Sequence, residues 1–278
     1  MARQRWGKLA LIVLTAATVG LTACRHVQTT NSGNVDVNRK QYMLVSAQET
    51  DQMAATAYQQ TLQQATGSHT LNTDKRMTER VRGIAQRLIA QVGVFRSDAS
   101  KWPWEVNVQQ SNELNAYCMA GGKIMVYSGL ITQLKLTDDE LAAVMGHEMA
   151  HALREHSRER LSQAYGTSLA LSIVGKAAKL DTGSQDLLGK ALDVAYILPY
   201  SRKHETEADL MGIELSARAG FDPRAAISLW KKMGSAGGSK PPELLSTHPS
   251  DKTRMTTLEN AIPKVLPLYE AARKTRKG

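Results

Sequence analysis

The chain runs to 278 residues, 42% of them hydrophobic, which is ample for one large single-core domain. Its 35 Lys and Arg outnumber 26 Asp and Glu for a formal net charge of +9, yet the basic residues are dispersed among acids and no nucleic-acid motif accompanies them. A nucleic-acid partner is therefore not expected, whereas attraction to an anionic lipid surface or to acidic substrate segments is.

Arg3, Arg5 and Lys8 precede an apolar run from Leu9 to Ala23 that Thr15, Thr18, Gly20 and Thr22 interrupt, the layout of a secretory signal rather than of a structural helix. The run ends Leu21-Thr22-Ala23-Cys24, with small residues where a bacterial lipoprotein signal peptidase needs them, so Cys24 is expected to become the lipidated first residue. An uncleaved signal anchor is the competing reading. Removing residues 1–23 with their three positive charges takes the chain from 278 to 255 residues and the charge from +9 to +6. Arg25 follows the cysteine, and no aspartate there signals inner-membrane retention. By analogy with lipoprotein sorting in Gram-negative bacteria, the periplasmic leaflet of the outer membrane is expected. Once Cys24 is acylated, Cys118 has no partner for a disulfide and reads as a buried core residue. Residues 24–40 are polar and aperiodic, which predicts a flexible tether ahead of a folded body over 41–278.

Ser46-Ala47-Gln48-Glu49 is a capping box that predicts a helix to about Gln64. Val81, Ile84, Ala85, Leu88, Ile89 and Val92 then form a helical apolar stripe. From Trp104 the period changes to two: Trp104, Val106 and Val108 alternate with polar residues, and further short strands are expected at 114–119 and 123–128 around the turn-forming Gly121-Gly122.

A second capping box, Thr137-Asp138-Asp139-Glu140, opens a helix on which Leu141, Val144, Met145 and Leu153 recur at helical spacing, while Arg154, Glu155, Arg158 and Glu159 mark a wet end. This helix carries His147-Glu148-Met149-Ala150-His151. Residues i and i+4 stack on one face, so the two imidazoles can direct nitrogens at one ion at roughly 2.0–2.1 Å. Glu148 lies about 100° further round, where it reaches the ion's open position and can take a proton from bound water. A solvated helix carrying these residues by chance is the bland alternative, but histidines near an inner face call for partners. Downstream, Glu205 and Asp209 are again i and i+4, one suited to ligate and the other to accept the free N–H of a ligating histidine, with Glu207 turned about 160° away. Between the motifs, SLALSIVGKAAKL falls short of the roughly 20 apolar residues of a membrane span.

Near the C-terminus, GSAGGSKPPELLSTHPS reads as a long loop ending at His248-Pro249. His248 has the reach to occupy a fourth metal position and latch the site; a loop-anchoring or capping role is the alternative. His26, His69, His156 and His204 read as surface or structural, His156 because it lies five residues past His151 and off the ligand face, and His204 with an unsupported chance of donating to an oxyanion.

HEMAH, SRKHETEAD over 201–209 and NAYCMAGGKIMVYSGLI over 115–131 resemble the zinc metallopeptidases that include HtpX, the CAAX prenyl proteases and the periplasmic BepA- and LoiP-type enzymes, from about residue 40 to 262. The resemblance implies a mainly helical α+β, zincin-type (gluzincin-like) fold with a small sheet at the cleft and one zinc per chain. By it, His147, His151 and Glu205 are the zinc ligands, Glu148 the catalytic base and Asp209 the partner of a ligating histidine. Ala120 departs from the proline many relatives carry there, which leaves the turn at the cleft lip open. The resemblance also implies that an edge strand binds substrate backbone; Asn115, Ala116, Tyr117, Cys118 and Met119 are the candidates, a fully paired inner strand being the alternative. The expected activity is hydrolysis of misfolded or stalled envelope proteins. An envelope chaperone with a latched zinc site, and a structural zinc protein without turnover, are the competing classes.

Overall fold

The computed structural model describes residues 25–177, 200–236, 243–248 and 252–277. Cys24, the signal segment, residues 178–180 at the end of the apolar stretch and part of the loop before His248 lie outside the described residues.

Residues 25–40 do not behave as the tether their polarity suggests. Strand β1 (Arg25–Val27) pairs antiparallel with β2 (Gln41–Met43), and the segment between them lies against the body. Val35 and Val37 are buried in the main core, and the N–H groups of Asn34 and Val35 donate to Glu214 Oε2 at 2.7 and 3.1 Å. Thr30 accepts from buried Arg154 and Arg39 donates to Glu159 and Glu207, so part of the strap's polarity serves buried partners rather than water, which composition alone misreads.

Helix α1 (Ala47–Gly67) starts where Ser46 accepts from the Glu49 N–H, and it buries Tyr58, whose hydroxyl donates to the Ile124 carbonyl at 2.6 Å. Helix α2 (Lys75–Ile89), capped by Asp74, buries Val81, Ile84, Ala85 and Leu88, the stripe the spacing predicts. Val92 continues that apolar face into a 3-10 turn, Val92–Val94.

Strands β3 (Glu105–Gln109), β4 (Ala116–Met119) and β5 (Lys123–Tyr127) form one sheet in the order β3-β5-β4, with β3 parallel and β4 antiparallel to β5. The alternation in β3 holds imperfectly: Asn107 is buried beside Val108 because it donates to the Tyr58 hydroxyl at 3.1 Å and accepts from Asn72 Nδ2 at 2.8 Å. Gly121 and Gly122 take φ of +73° and +79°, and a Cβ on Gly122 would meet Trp104 at 2.6 Å, so the β4–β5 turn needs both glycines. Among the described residues β4 pairs with β5 alone and is an edge strand.

After the short α3 (Ser128–Gln133), helix α4 (Asp138–Leu153) runs through the centre of the molecule, buried at every position from Glu140 onward. Its capping box is present as expected, with Thr137 N–H donating to Glu140 Oε2 at 2.9 Å and Glu140 N–H to Thr137 Oγ1 at 3.3 Å. Helix α5 (His156–Ala177) follows after Glu155, whose φ of 54° breaks the helical path. The wet end expected here is instead internal: Arg154 is 0% and Glu159 2% exposed, because each finds opposite charge inside. Helix α6 (Arg202–Arg218) lies across α4, followed by α7 (Ala225–Ala236), the short α8 (Glu243–Thr247) and α9 (Lys252–Lys277). α8 places one helical turn where a loop to His248 was expected.

The fold is mainly helical α+β. Among the described residues no helix is long and apolar enough to cross a membrane. What positions the site is the crossing of α4 over α6: a Cβ on Gly146 would lie 2.9 Å from the Gly212 carbonyl oxygen, and one on Gly212 would lie 2.8 Å from His147 N. The Ser216 hydroxyl donates to the Ala142 carbonyl at 3.2 Å across the same contact. Missing side chains bring the two backbones together beside the first histidine.

Candidate metal centre

α4 presents His147 and His151 one turn apart, α6 presents Glu205, and the end of α8 delivers His248; all four are buried. One ligand atom from each lies within 4.8 Å of the other three. His147 Nε2 is 3.1 Å from His151 Nε2 and 3.3 Å from His248 Nδ1, while Glu205 Oε1 is 3.0 Å from His248 Nδ1 and 3.5 Å from His151 Nε2. Ring nitrogens crowded this closely around a carboxylate suit a shared dication, which accepts every lone pair at once.

The electrostatics favour positive charge at that point. Burial disfavours a charged ring at His147, yet the Asp209 and Glu205 carboxylates outweigh it and push that group up to about 9. The carboxylates that would hold a proton there equally favour a metal cation. Asp209 Oδ1 lies 3.0 Å from His147 Nδ1, a short contact that is not well aligned as a hydrogen bond. Burial opposes the charge on Asp209, but Arg254 and His147 outweigh it and hold the carboxyl below the usual range.

Glu148 stands beside this group and not in it. It is 3% exposed, its Oε1 has no hydrogen-bond partner among the described residues, and His248 Nε2 lies 3.5 Å from that oxygen. Burial pushes its carboxyl up despite nearby His248 and His147. A carboxylate more basic than usual beside such a group can receive a proton from water and pass it on.

A profile described as Peptidase family M48 matches residues 75–262. The chain belongs to peptidase family M48. Members of that family use zinc, and the four buried groups fit the ion. This M48 peptidase is similar to mitochondrial metalloendopeptidase OMA1 of Schizosaccharomyces pombe, 36% identical over 81% of this chain and 65% of that one. It is also 36% identical to the OMA1 of Arabidopsis thaliana over 63% of this chain and 35% of that one. A beta-barrel assembly-enhancing protease of Yersinia pestis is 28% identical over 74% of this chain and 43% of its own length. The M48 chain thus spans between about a third and two thirds of these relatives.

Of the residues singled out in the sequence, His147, Glu148, His151, Glu205, Asp209 and His248 come together in this M48 peptidase. Glu207 does not: its Oε2 receives Arg154 and His156, and its Oε1 receives Arg39 Nε at 2.6 Å. His156 and His204 are buried, and His204 Nε2 donates to Glu159 Oε2 at 3.1 Å, away from the convergent group. Cys118 is buried in β4 as expected, and burial pushes its thiol well up.

Sequence reasoning missed Arg254 and Tyr200. Arg254 grips Asp209 with Nε and Nη2, each at 2.7 Å, reaches Glu205 Oε2 with Nη1 at 2.8 Å, and lies over the Trp230 ring. Asking which cation neutralises two buried carboxylates on one helix face would have pointed to an arginine, though not to this one. The Tyr200 ring packs on His151 and His248 with centroids 4.1 and 5.2 Å away, and its N–H donates to the Thr247 carbonyl at 2.9 Å.

Proposed function

We propose that this M48 peptidase is a bacterial-envelope endopeptidase that hydrolyses peptide bonds of misfolded or stalled envelope proteins. The observation that carries the reading is the convergence of His147, His151 and Glu205 on one point with Glu148 free beside it. In this reading those three are the zinc ligands and Glu148 is the general base. Zinc, when bound, polarises the scissile carbonyl and lowers the pKa of a water to about 7. Glu148 takes that water's proton and returns it to the leaving amine. Asp209 holds His147, and Arg254 holds Asp209 and Glu205 in place. The unpaired edge of β4 suits main-chain pairing with an extended substrate, which gives cleavage with loose sequence preference.

The substrate class and compartment are supported by the lipobox ending at Cys24 and by a relative whose name refers to beta-barrel assembly. Cys24 is the acyl anchor, and Cys24→Ser should leave an unprocessed precursor. An unmodified mature N-terminus in the mass spectrum of the wild-type protein would refute the anchor.

The experiment that tests the activity compares wild type with Glu148→Gln on an unfolded protein. The variant should keep its zinc and its fold and lose about 10²–10⁴-fold in hydrolysis, because a neutral amide cannot take the proton. Cleavage at the wild-type rate would remove Glu148 from the chemistry.

One observation favours a second reading. His248 stands between the ligand atoms and Glu148, 3.0 Å from Glu205 Oε1 and 3.5 Å from Glu148 Oε1. A chain latched this way acts mainly as a chaperone or assembly factor that binds unfolded proteins and seldom cleaves them. Binding without hydrolysis by zinc-loaded wild type would favour it.

A further inference from the structure

A ligating histidine needs its outward nitrogen held, because that contact sets the tautomer and the ring orientation. For His147 the partner is the Asp209 carboxylate. For His151 it is neither a carboxylate nor a carbonyl: His151 Nδ1 lies 2.9 Å from His156 Nδ1, a second imidazole.

Which nitrogen donates can be worked out from the far end. Glu207 Oε2 is 3.0 Å from His156 Nε2 and also accepts from Arg154 Nε at 3.1 Å and Nη2 at 3.0 Å, while Arg39 donates to Oε1 at 2.6 Å. A carboxylate between two guanidinium groups is ionised and can only accept, so His156 Nε2 carries the hydrogen. The neutral ring then has its lone pair on Nδ1 and must accept from His151 Nδ1–H. That leaves the lone pair of His151 on Nε2, the nitrogen facing His147, Glu205 and His248.

The ring that does this is itself fixed. His156 is fully buried and stacks on His204 at 4.4 Å with 24° between planes. On a continuous helix a residue five positions on would sit about 140° from His151. The φ of 54° at Glu155 breaks the helix and brings His156 back behind His151.

We propose that His156 is a positioning residue that holds His151 in its Nδ1–H tautomer, with Glu207, gripped by Arg39 and Arg154, as the anchor. The proposal rests on the reading of His151 as a zinc ligand. It makes the two histidines of the motif unlike in their support, one held directly by a carboxylate and the other through an intervening imidazole. It also ties the N-terminal strap to the metal centre, since Arg39 comes from the strap.

The test is zinc affinity by chelator competition on the purified chain, with His156→Met and His156→Gln compared. The two side chains have the same length, but only Gln can both accept from His151 and donate to Glu207. The Met variant should bind zinc about 10–100-fold more weakly, and the Gln variant close to wild type. Nitrogen-correlated NMR of the zinc-loaded wild type should show the His151 proton on Nδ1 and the His156 proton on Nε2. Wild-type affinity in the Met variant, equal weakening in both variants with unchanged melting of the metal-free chains, or a His151 proton on Nε2 would each overturn the proposal. Should the Met chain not fold, the NMR assignment decides alone. His151→Phe separates the two levels: if it keeps zinc, the ligand reading fails, and if it loses zinc while His156→Met does not, only the positioning role fails.

Discussion

Glu205 and Glu207 sit two residues apart on one helix, about 200° around its axis, and that angle divides their work. Glu205 faces the two histidines of α4, while Glu207 faces Arg39, Arg154 and His156. Replacing each by Gln should separate the roles. Glu205→Gln should lower zinc content sharply, since the ligand is lost and Arg254 is left with less charge to pair. Glu207→Gln should lower zinc content much less, because it acts at one remove, and its main effect should be on stability. Removing one partner of a buried ion pair costs about 3–5 kcal/mol. Metal analysis beside denaturant unfolding reads both effects, and equal losses of zinc in the two variants would contradict the assignment. The spacing of these carboxylates was legible because helix geometry is local. His156 was not legible, because the left-handed turn at Glu155 that re-aims it has no sequence signature there: a glutamate at positive φ is uncommon.

At the scale of elements, the site depends on how closely α4 and α6 approach. Gly146 and Gly212 remove the side chains that would hold the helices apart, and the contact falls next to His147. Gly212→Ala would put a Cβ 2.8 Å from His147 N and 3.0 Å from its Cα, backbone atoms that cannot step aside alone. The helices must then separate, at a cost of about 1–3 kcal/mol for overpacking, and Glu205 moves with α6 away from its partners on α4. Lower melting temperature and weaker zinc binding are both expected. Gly83→Ala on α2 is the control, since a Cβ there meets nothing within 4 Å and Ala favours the helix by about 1 kcal/mol. A Gly212→Ala chain that melts and binds zinc as wild type would show that the crossing does not set the site. The elements were largely legible: the Thr137 cap, the α2 stripe and the β4–β5 hairpin all follow local rules. What failed were readings of polarity as exposure. Arg39, Arg154 and Glu159 look solvated in sequence, and they are paired with charges more than 40 residues away.

At the scale of the molecule, the metal centre is closed from two sides. The N-terminal strap braces the back of His151 through Arg39, and the segment ending at His248 covers the front. His248 is held by its surroundings as well as by the ligand group: its N–H donates to the Leu244 carbonyl at 2.9 Å, and Tyr200 stacks on its ring. Those contacts make removal informative, because a latch and a brace respond differently. If His248 occupies the open position at rest, His248→Ala gives water access between the ligands and Glu148, so hydrolysis of an unfolded substrate per zinc-loaded molecule should rise while zinc affinity falls modestly. A brace predicts lower stability with unchanged or reduced turnover per folded molecule. Initial rates normalised to zinc content distinguish them, and unchanged or lower normalised activity in His248→Ala would rule out the simple inhibitory latch. Because the bonds from the residue-248 N–H to the Leu244 carbonyl and from the Tyr200 N–H to the Thr247 carbonyl are main-chain contacts that the substitution leaves in place, the segment need not unfold for the site to open.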